Sequence, residues 1–264
     1  MDLQLKGKTA FISGSTQGIG FAIAQQLLQE GAHVIINGRT KERVDEAVRK
    51  LSSGAPSGNI SGIAADFGKE QEVHQLLETL PAVDILVNNV GVFALKDFGD
   101  ITDSEWQSVF DVNVMSGVRL SRALLPAMIE KKWGRILFIS SESGVNVPAN
   151  MIHYGMTKTA MLSLSNGLSK LTRGTAVTVN TILGGPTYSD GVAVAVKQIA
   201  QASDTGEDEM KAAILQSTNP HSLLQRFIAP EEIAGVAAYL CSPLSTAING
   251  AAIRADGGVL NTIL

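Results

Sequence analysis

Thr9-Ala10-Phe11-Ile12-Ser13-Gly14-Ser15-Thr16-Gln17-Gly18-Ile19-Gly20-Phe21-Ala22-Ile23-Ala24 decides how this chain folds. Thr9 to Ser13 is a short apolar run that reads as a strand. Gly18 to Gln29 is amphipathic at helical spacing, and His33 to Asn37 reads as a second strand, so the chain opens with a βαβ unit. Between the first strand and the helix lie glycines at positions 14, 18 and 20. Bare backbone at Gly14 and Gly18 would let a pyrophosphate approach closely, and Gly20 would let helix and strand pack tightly. The helix start adds free N–H groups and the positive end of a dipole. The spacing is G-x-x-x-G-x-G and not G-x-G-x-x-G. A glycine cluster alone can be only a tight turn; its place between strand and helix is what favours a nucleotide.

Further strands are expected at Ser61 to Ala65, Val83 to Val87, Arg135 to Ser140, Ala176 to Ile182 and Ala251 to Ala255, with helical patterns between most of them. Strands that read as continuous apolar runs are buried on both faces, which predicts an α/β fold with a parallel sheet covered by helices on each side. Ser52 to Gly58 reads as a loop. Between Gly184 and Pro220 a strand should lead straight into the last helix; the intervening residues predict a lid or substrate-binding insertion at 184–220.

With 264 residues, 45% of them hydrophobic and 17% charged, one domain over 1–264 suffices. A net charge of −4 without a dense Lys/Arg run gives no reason to expect nucleic acid or an anionic membrane as partner. Cys241, the single cysteine, excludes an internal disulfide and a cysteine-based zinc site, and reads as a small buried apolar residue. His33, His74 and His221 lie in different elements, so no metal site is expected. The start of the chain lacks a charged segment followed by an apolar core, and no run approaches the ~20 apolar residues of a spanning helix, so a cytoplasmic location is expected.

Asn37-Gly38-Arg39 ends the second strand, where a carboxylate would hold a ribose 2′-hydroxyl and repel a 2′-phosphate. With no carboxylate and a guanidinium that can grip phosphate, NADP(H) is favoured and NAD(H) is the alternative. The lesser alternative for Arg39 is a solvated arginine at a helix start. Tyr154-Gly155-Met156-Thr157-Lys158 places a phenol and an ammonium on one helical face. An unperturbed tyrosine titrates at ~10, and a lysine about 4 Å away at an effective dielectric near 20 contributes roughly 4 kcal/mol toward lowering it. Ser141, closing the apolar run from Arg135, could add a hydroxyl beside the same substrate oxygen. The Tyr–Lys spacing alone is a weak signal that needs the glycine loop beside it. His153 adjoins Tyr154 but faces another way, and is read as structural or as part of a substrate pocket.

Taken together, the Gly14/Gly18/Gly20 loop, Asp66, Asn88-Asn89-Val90-Gly91, Asn113, Ser141, Tyr154 with Lys158, and Asp256-Gly257-Gly258 resemble the short-chain dehydrogenase/reductase family over nearly the whole chain. The resemblance implies a single Rossmann-type domain with a doubly wound, seven-stranded parallel sheet, assembled as a homotetramer. It implies that Ser15, Gln17 and Ile19 of the loop lie along the cofactor, that Asp66 with Phe67 contacts the adenine, and that Asn89, Val90 and Gly91 follow the adenosine side. Gly185 and Thr187 would belong to the loop that touches the nicotinamide. Asp66 could instead cap the next helix and Asn88-Asn89 could merely turn the chain. The family's asparagine, here Asn113, holds a water linking the lysine to solvent. Two departures stand out: Gly184-Gly185 replaces the usual Pro-Gly after the sixth strand, exchanging a fixed φ for a permissive residue, and Val90 replaces an alanine and adds bulk near the cofactor.

The expected reaction is hydride transfer between nicotinamide and a carbonyl or secondary alcohol. Tyr154 would be the acid/base, Lys158 would lower its pKa and bind the ribose, Ser141 would hold the substrate oxygen, and Asn113 would support a proton relay. The alternative is a catalytically weak nucleotide-binding regulator. Specificity is expected at Val145 to Ile152, Tyr188 and Val192 to Val196, whose small or apolar character suits a moderately hydrophobic carbonyl compound, a 3-oxoacyl thioester being one option. Lys131-Lys132 with Arg173 could serve an acyl-carrier partner, although scattered surface cations explain them better. The acidic stretch Asp204 to Glu209 is expected to be a solvated face of the lid.

Overall fold

A computed structural model describes residues 1–53 and 59–263. Most of the Ser52 to Gly58 stretch, read above as a loop, lies outside the described residues. Seven strands, β1 (Thr9–Ile12), β2 (His33–Gly38), β3 (Ile60–Ala64), β4 (Ile85–Asn88), β5 (Trp133–Ser141), β6 (Ala176–Gly184) and β7 (Ala252–Ala255), form one sheet in the order β3-β2-β1-β4-β5-β6-β7. Every pairing is parallel.

Side-chain alternation explains why both faces must be covered. Ala10, Ile12, Val34, Ile36, Ile85, Val87, Leu137 and Ile139 point to one core, while Phe11, Ile35, Leu86, Ile136, Phe138, Val177 and Val179 point to the other. This is the period of two that a pleated strand imposes. The first core is closed by α1 (Gly18–Gln29), α2 (Lys41–Ser52) and α9 (Pro230–Cys241), the second by α3 (Glu70–Thr79), α5 (Ser116–Glu130) and α6 (Ile152–Ser169). Cys241 is buried in the first core, as expected. At about 25 cal/mol per Å² of apolar surface withdrawn from water, these two layers supply most of the drive for folding.

The stretch after β6 is not a loop. It forms α7 (Asp190–Ala202) and α8 (Glu207–Thr218). Tyr188 ties them down: its hydroxyl donates to Glu207 Oε1 at 2.6 Å and its ring packs against Phe227. Lys211 pairs with both Glu207 and Asp208, so part of the acidic stretch is engaged in holding α8 and not only solvated. Gly184 corrects a second expectation. It completes β6, paired with Ser141 and Ala255, with no positive φ, so the freedom it has over proline is not used there.

No helix among the described residues is long and apolar enough to cross a membrane.

Candidate active site

Parallel strands place their C-terminal ends along one edge, and between β1 and β4 the chain order reverses. A crevice opens where successive connections leave to opposite faces. Here the cleft has a volume of about 560 Å³.

Gly14 and Gly18 both have φ of +61°, a conformation other residues adopt at a cost. A Cβ on Gly14 would lie 2.9 Å from the Cα of Val90, so the Val90 backbone packs directly against the loop. Asn37, only 1% exposed, holds the loop from below. Its Oδ1 accepts from Gly14 N at 3.0 Å and its Nδ2 donates to Ile63 O and Ala65 O. Asn89 holds it from the side, donating to Ser13 O and Gly14 O. Gly18 opens α1, whose N-terminus has no side-chain cap. The Gly18 N–H meets Asp190 Oδ2 of α7 at 2.6 Å, a carboxylate oxygen at the kind of position that suits a phosphate oxygen.

The sequence-predicted cofactor residues divide into two groups. Gln17, Ile19, Arg39, Asp66, Phe67, Val90 and Gly91 line the cleft with Gly14 and Gly18. Ser15, Gly20, Gly185 and Thr187 are not part of its lining. Ser15 is fully buried, its hydroxyl donating to Ile12 O. Gly20 packs against Asn89, and Gly185 against the backbone of Asp256. Thr187 donates back to Gly185 O. Asp66 makes a local turn, accepting from Gly68 N at 3.0 Å, and Phe67 places its ring in the second core.

Arg43 was missed. It lies one turn after Arg39 and lines the same wall, because Thr40 caps α2 by accepting from Arg43 N and so fixes where the helix starts. The i,i+4 spacing from Arg39 could have signalled it.

The candidate catalytic residues on β5 and α6 lie beyond the cleft lining and adjoin it through Phe93. Tyr154 and Lys158 share a face of α6, one turn apart, as predicted. Ser141 ends β5 near Tyr154, close enough to influence its titration. Phe93 meets the Tyr154 ring edge-on at 6.0 Å. Lys158 is buried; its Nζ donates to Ile139 O at 2.8 Å and stands 5.4 Å from the centre of the Tyr154 ring. Asn113 sits in a π-helical turn over Asp111–Met115, whose extra residue brings the amide inward. That amide is fully buried, bonded to Val92 N, Val92 O and Thr157 Oγ1. Asn113 Oδ1 and Lys158 Nζ converge above Gly91, 3.6 Å and 3.5 Å from where its Cβ would be.

One electrostatic expectation is reversed. The Tyr154 phenol is held well above the ordinary tyrosine range, first by burial and then by the charge of Glu142, with the nearby Ser141 hydroxyl opposing. Burial and Glu142 prevail there, while the Lys158 ammonium is engaged with the Ile139 carbonyl. Lys158 is itself pushed down to about 8 by burial, against the pull of Glu142. Glu142 is the second residue that sequence reasoning missed: an acidic residue after a strand reads as solvated until α6 packs over it.

His153 is 2% exposed and stacks edge-on with Trp106, which fits the structural reading. No cluster of His, Cys, Asp or Glu among the described residues could hold a metal ion. Lys131 and Lys132 precede β5 and Arg173 precedes β6, at the opposite edge of the sheet from Ser141. A nine-residue strand spans roughly 30 Å.

A family model described as short chain dehydrogenase matches residues 8–200. Two Bacillus subtilis (strain 168) proteins, uncharacterized oxidoreductases YvaG and YvrD, are 46% and 47% identical to the chain, each match covering 100% of both sequences. L-sorbose reductase from Gluconobacter frateurii, solved with NADPH and L-sorbose, superposes with a TM-score of 0.90 at 32% identity, covering 100% of both chains.

Proposed function

Because the chain belongs to the short-chain dehydrogenase family and is an oxidoreductase of the NAD(P)-dependent kind, we propose that it reduces a small carbonyl compound to a secondary alcohol with NADPH, Tyr154 acting as the acid. The carrying observation is the phenol itself. It shares a face of α6 with Lys158 at the end of β5, and its proton is the one that carbonyl reduction consumes.

The cleft suits the dinucleotide. Gly14 and Gly18 leave bare backbone at the start of α1, and Arg39 and Arg43 supply two guanidinium groups on a wall without a carboxylate at the end of β2. These two would hold a 2′-phosphate, which supports NADP(H) over NAD(H). When bound, the nicotinamide supplies the hydride. Ser141 orients the substrate oxygen, Tyr154 hands it a proton, and Lys158 with Asn113 forms the polar floor above Gly91 through which that proton is restored. α7 and α8 act as the lid, Asp190 resting on the glycine loop.

Phe93, Val145 and Val147 are exposed apolar groups near the candidate catalytic residues, which suits a substrate with an apolar flank. The L-sorbose found in the Gluconobacter reductase makes polyhydroxy ketones the other class to try. An acyl-carrier partner is not favoured, because the basic residues considered for it stand across the sheet. The chain is read as a homotetramer, with the apolar trough along α5 and α6 lined by Leu125, Ile129, Leu164, Leu168 and Leu171 as the surface other copies cover.

NADPH oxidation followed against sugars, diketones, quinones and a 3-oxoacyl thioester tests the reading. Tyr154→Phe should lower turnover by about 10²- to 10⁴-fold while leaving NADPH affinity nearly intact. Near-normal turnover in that variant, or no carbonyl reduced by the wild type, removes it.

A further inference from the structure

We propose that Glu142 is a positioning residue for Ser141, its carboxyl group deciding whether the serine hydroxyl offers its proton or only a lone pair to the substrate oxygen. The inference rests on the carbonyl reduction proposed above and deepens it.

Glu142 begins the short 3₁₀ turn Glu142–Gly144 that follows β5. Its side chain folds back so that Oε2 accepts from Ser141 Oγ at 2.5 Å and Oε1 accepts from Ser143 Oγ at 3.1 Å. The turn cannot drift away, since a Cβ on Gly144 would lie 2.9 Å from the Lys158 carbonyl carbon.

A serine hydroxyl has one proton and two lone pairs. One lone pair of Ser141 takes the N–H of Ser143 at 3.1 Å, and the proton goes to Glu142. What remains to face a substrate is a single lone pair. That matches the O–H of an alcohol and mismatches a ketone oxygen, which needs a donor. With Glu142 protonated, its carboxylic O–H can donate to the serine, and the serine proton turns to the ketone. The carboxyl group acts only through Ser141, so no bond to substrate is formed or broken by it.

Opposed influences act on that carboxyl group. Burial raises the Glu142 carboxyl above the usual carboxylate range, with the hydrogen bonds from Ser141 and Ser143 opposing. Tyr154 and Lys158 are the ionisable groups of α6 that feel its charge. β6, which also packs on this turn, carries no ionisable side chain.

Glu142→Gln is the deciding variant, because a glutamine amide donates to Ser141 at every pH. Carbonyl reduction with NADPH is followed on the acid side of neutrality, where Lys158, titrating at about 8, keeps its charge. The wild-type kcat/KM should fall by up to about tenfold per pH unit once Glu142 ionises, and Glu142→Gln should stay level. Glu142→Ala, without charge or donor, should be level at a lower rate. Superimposable wild-type and Gln profiles overturn the proposal. A second readout needs no turnover: with ¹³Cζ-labelled tyrosine the protein gives three resonances. The Tyr154 titration should move down in Glu142→Gln and in Glu142→Ala, and an unmoved midpoint overturns the proposal. If the wild type reduces no carbonyl, the proposed function falls and the Tyr154 titration alone decides the place of Glu142.

Discussion

Replacing Lys158 with methionine should disable the site and, at neutral pH, make the protein more stable. The ammonium is 5% exposed and its pKa falls from 10.5 to about 8, mainly through burial. That gap is worth about 3 kcal/mol at ~1.36 kcal/mol per unit, a cost the solvated lysine of the unfolded chain does not carry. Between about pH 8 and 10.5 the unfolded chain holds a proton that the folded chain has released, so wild-type stability rises with pH through that window. The penalty is complete below it and gone above it. Methionine has similar length and no charge, but leaves Ile139 O without the Nζ donor now at 2.8 Å, a loss of about 1–2 kcal/mol. The variant should therefore gain about 1–2 kcal/mol at pH 7 and lose that advantage near pH 10. Urea unfolding at a series of pH values measures the difference. A variant less stable than wild type by the same margin at pH 7 and pH 10 would refute the reasoning.

Asp190→Ala should tighten NADPH binding about two- to fivefold, since a charge at a helix N-terminus is worth about 0.3–1 kcal/mol and Asp190 now takes the Gly18 N–H; a weakened affinity by fluorescence titration counts against a competing carboxylate. Gly14→Ala should cost at least about 1–2 kcal/mol from the positive φ alone, and more from the Val90 contact, with a matching rise in NADPH Kd; unchanged melting and affinity would show the loop can yield. Arg39→Ala and Arg43→Ala should each weaken NADPH while leaving NADH nearly unaffected, and equal losses for both cofactors would place the arginines elsewhere than at the 2′-phosphate. Arg135→Ala should cost about 3 kcal/mol or more, because this 1% exposed guanidinium bonds Ser242 O, Gly134 O, Ala176 O and Thr246 Oγ1; denaturant unfolding with less than about 1 kcal/mol of loss would mean those acceptors find other partners.

The sheet was legible because its strands are short apolar runs separated by helices, and α1 was read to its ends, Gly18–Gln29. Strand ends moved by one or two residues, since register with a neighbour, which periodicity does not carry, decides where pairing stops. β6 ran on to Gly184 because β5 and β7 both had partners to offer there. The helices α7 and α8 were unread as such, being stabilised by distant contacts such as Tyr188 with Phe227. The Tyr154–Lys158 pairing is local and was visible; the direction of the phenol's pKa was not. It depends on burial and on Glu142, both set by how α6 docks onto the end of β5.

Asn37 has a consequence for anyone wishing to redirect the choice of dinucleotide. Its amide splices β2 and the end of β3 to the glycine loop, and its oxygen is already taken by Gly14 N. Installing an acid at that site in imitation of NAD-selective enzymes would cut the splice before it altered selectivity. Redesign should begin outboard, on the two guanidinium groups, where the scaffold bears no structural debt.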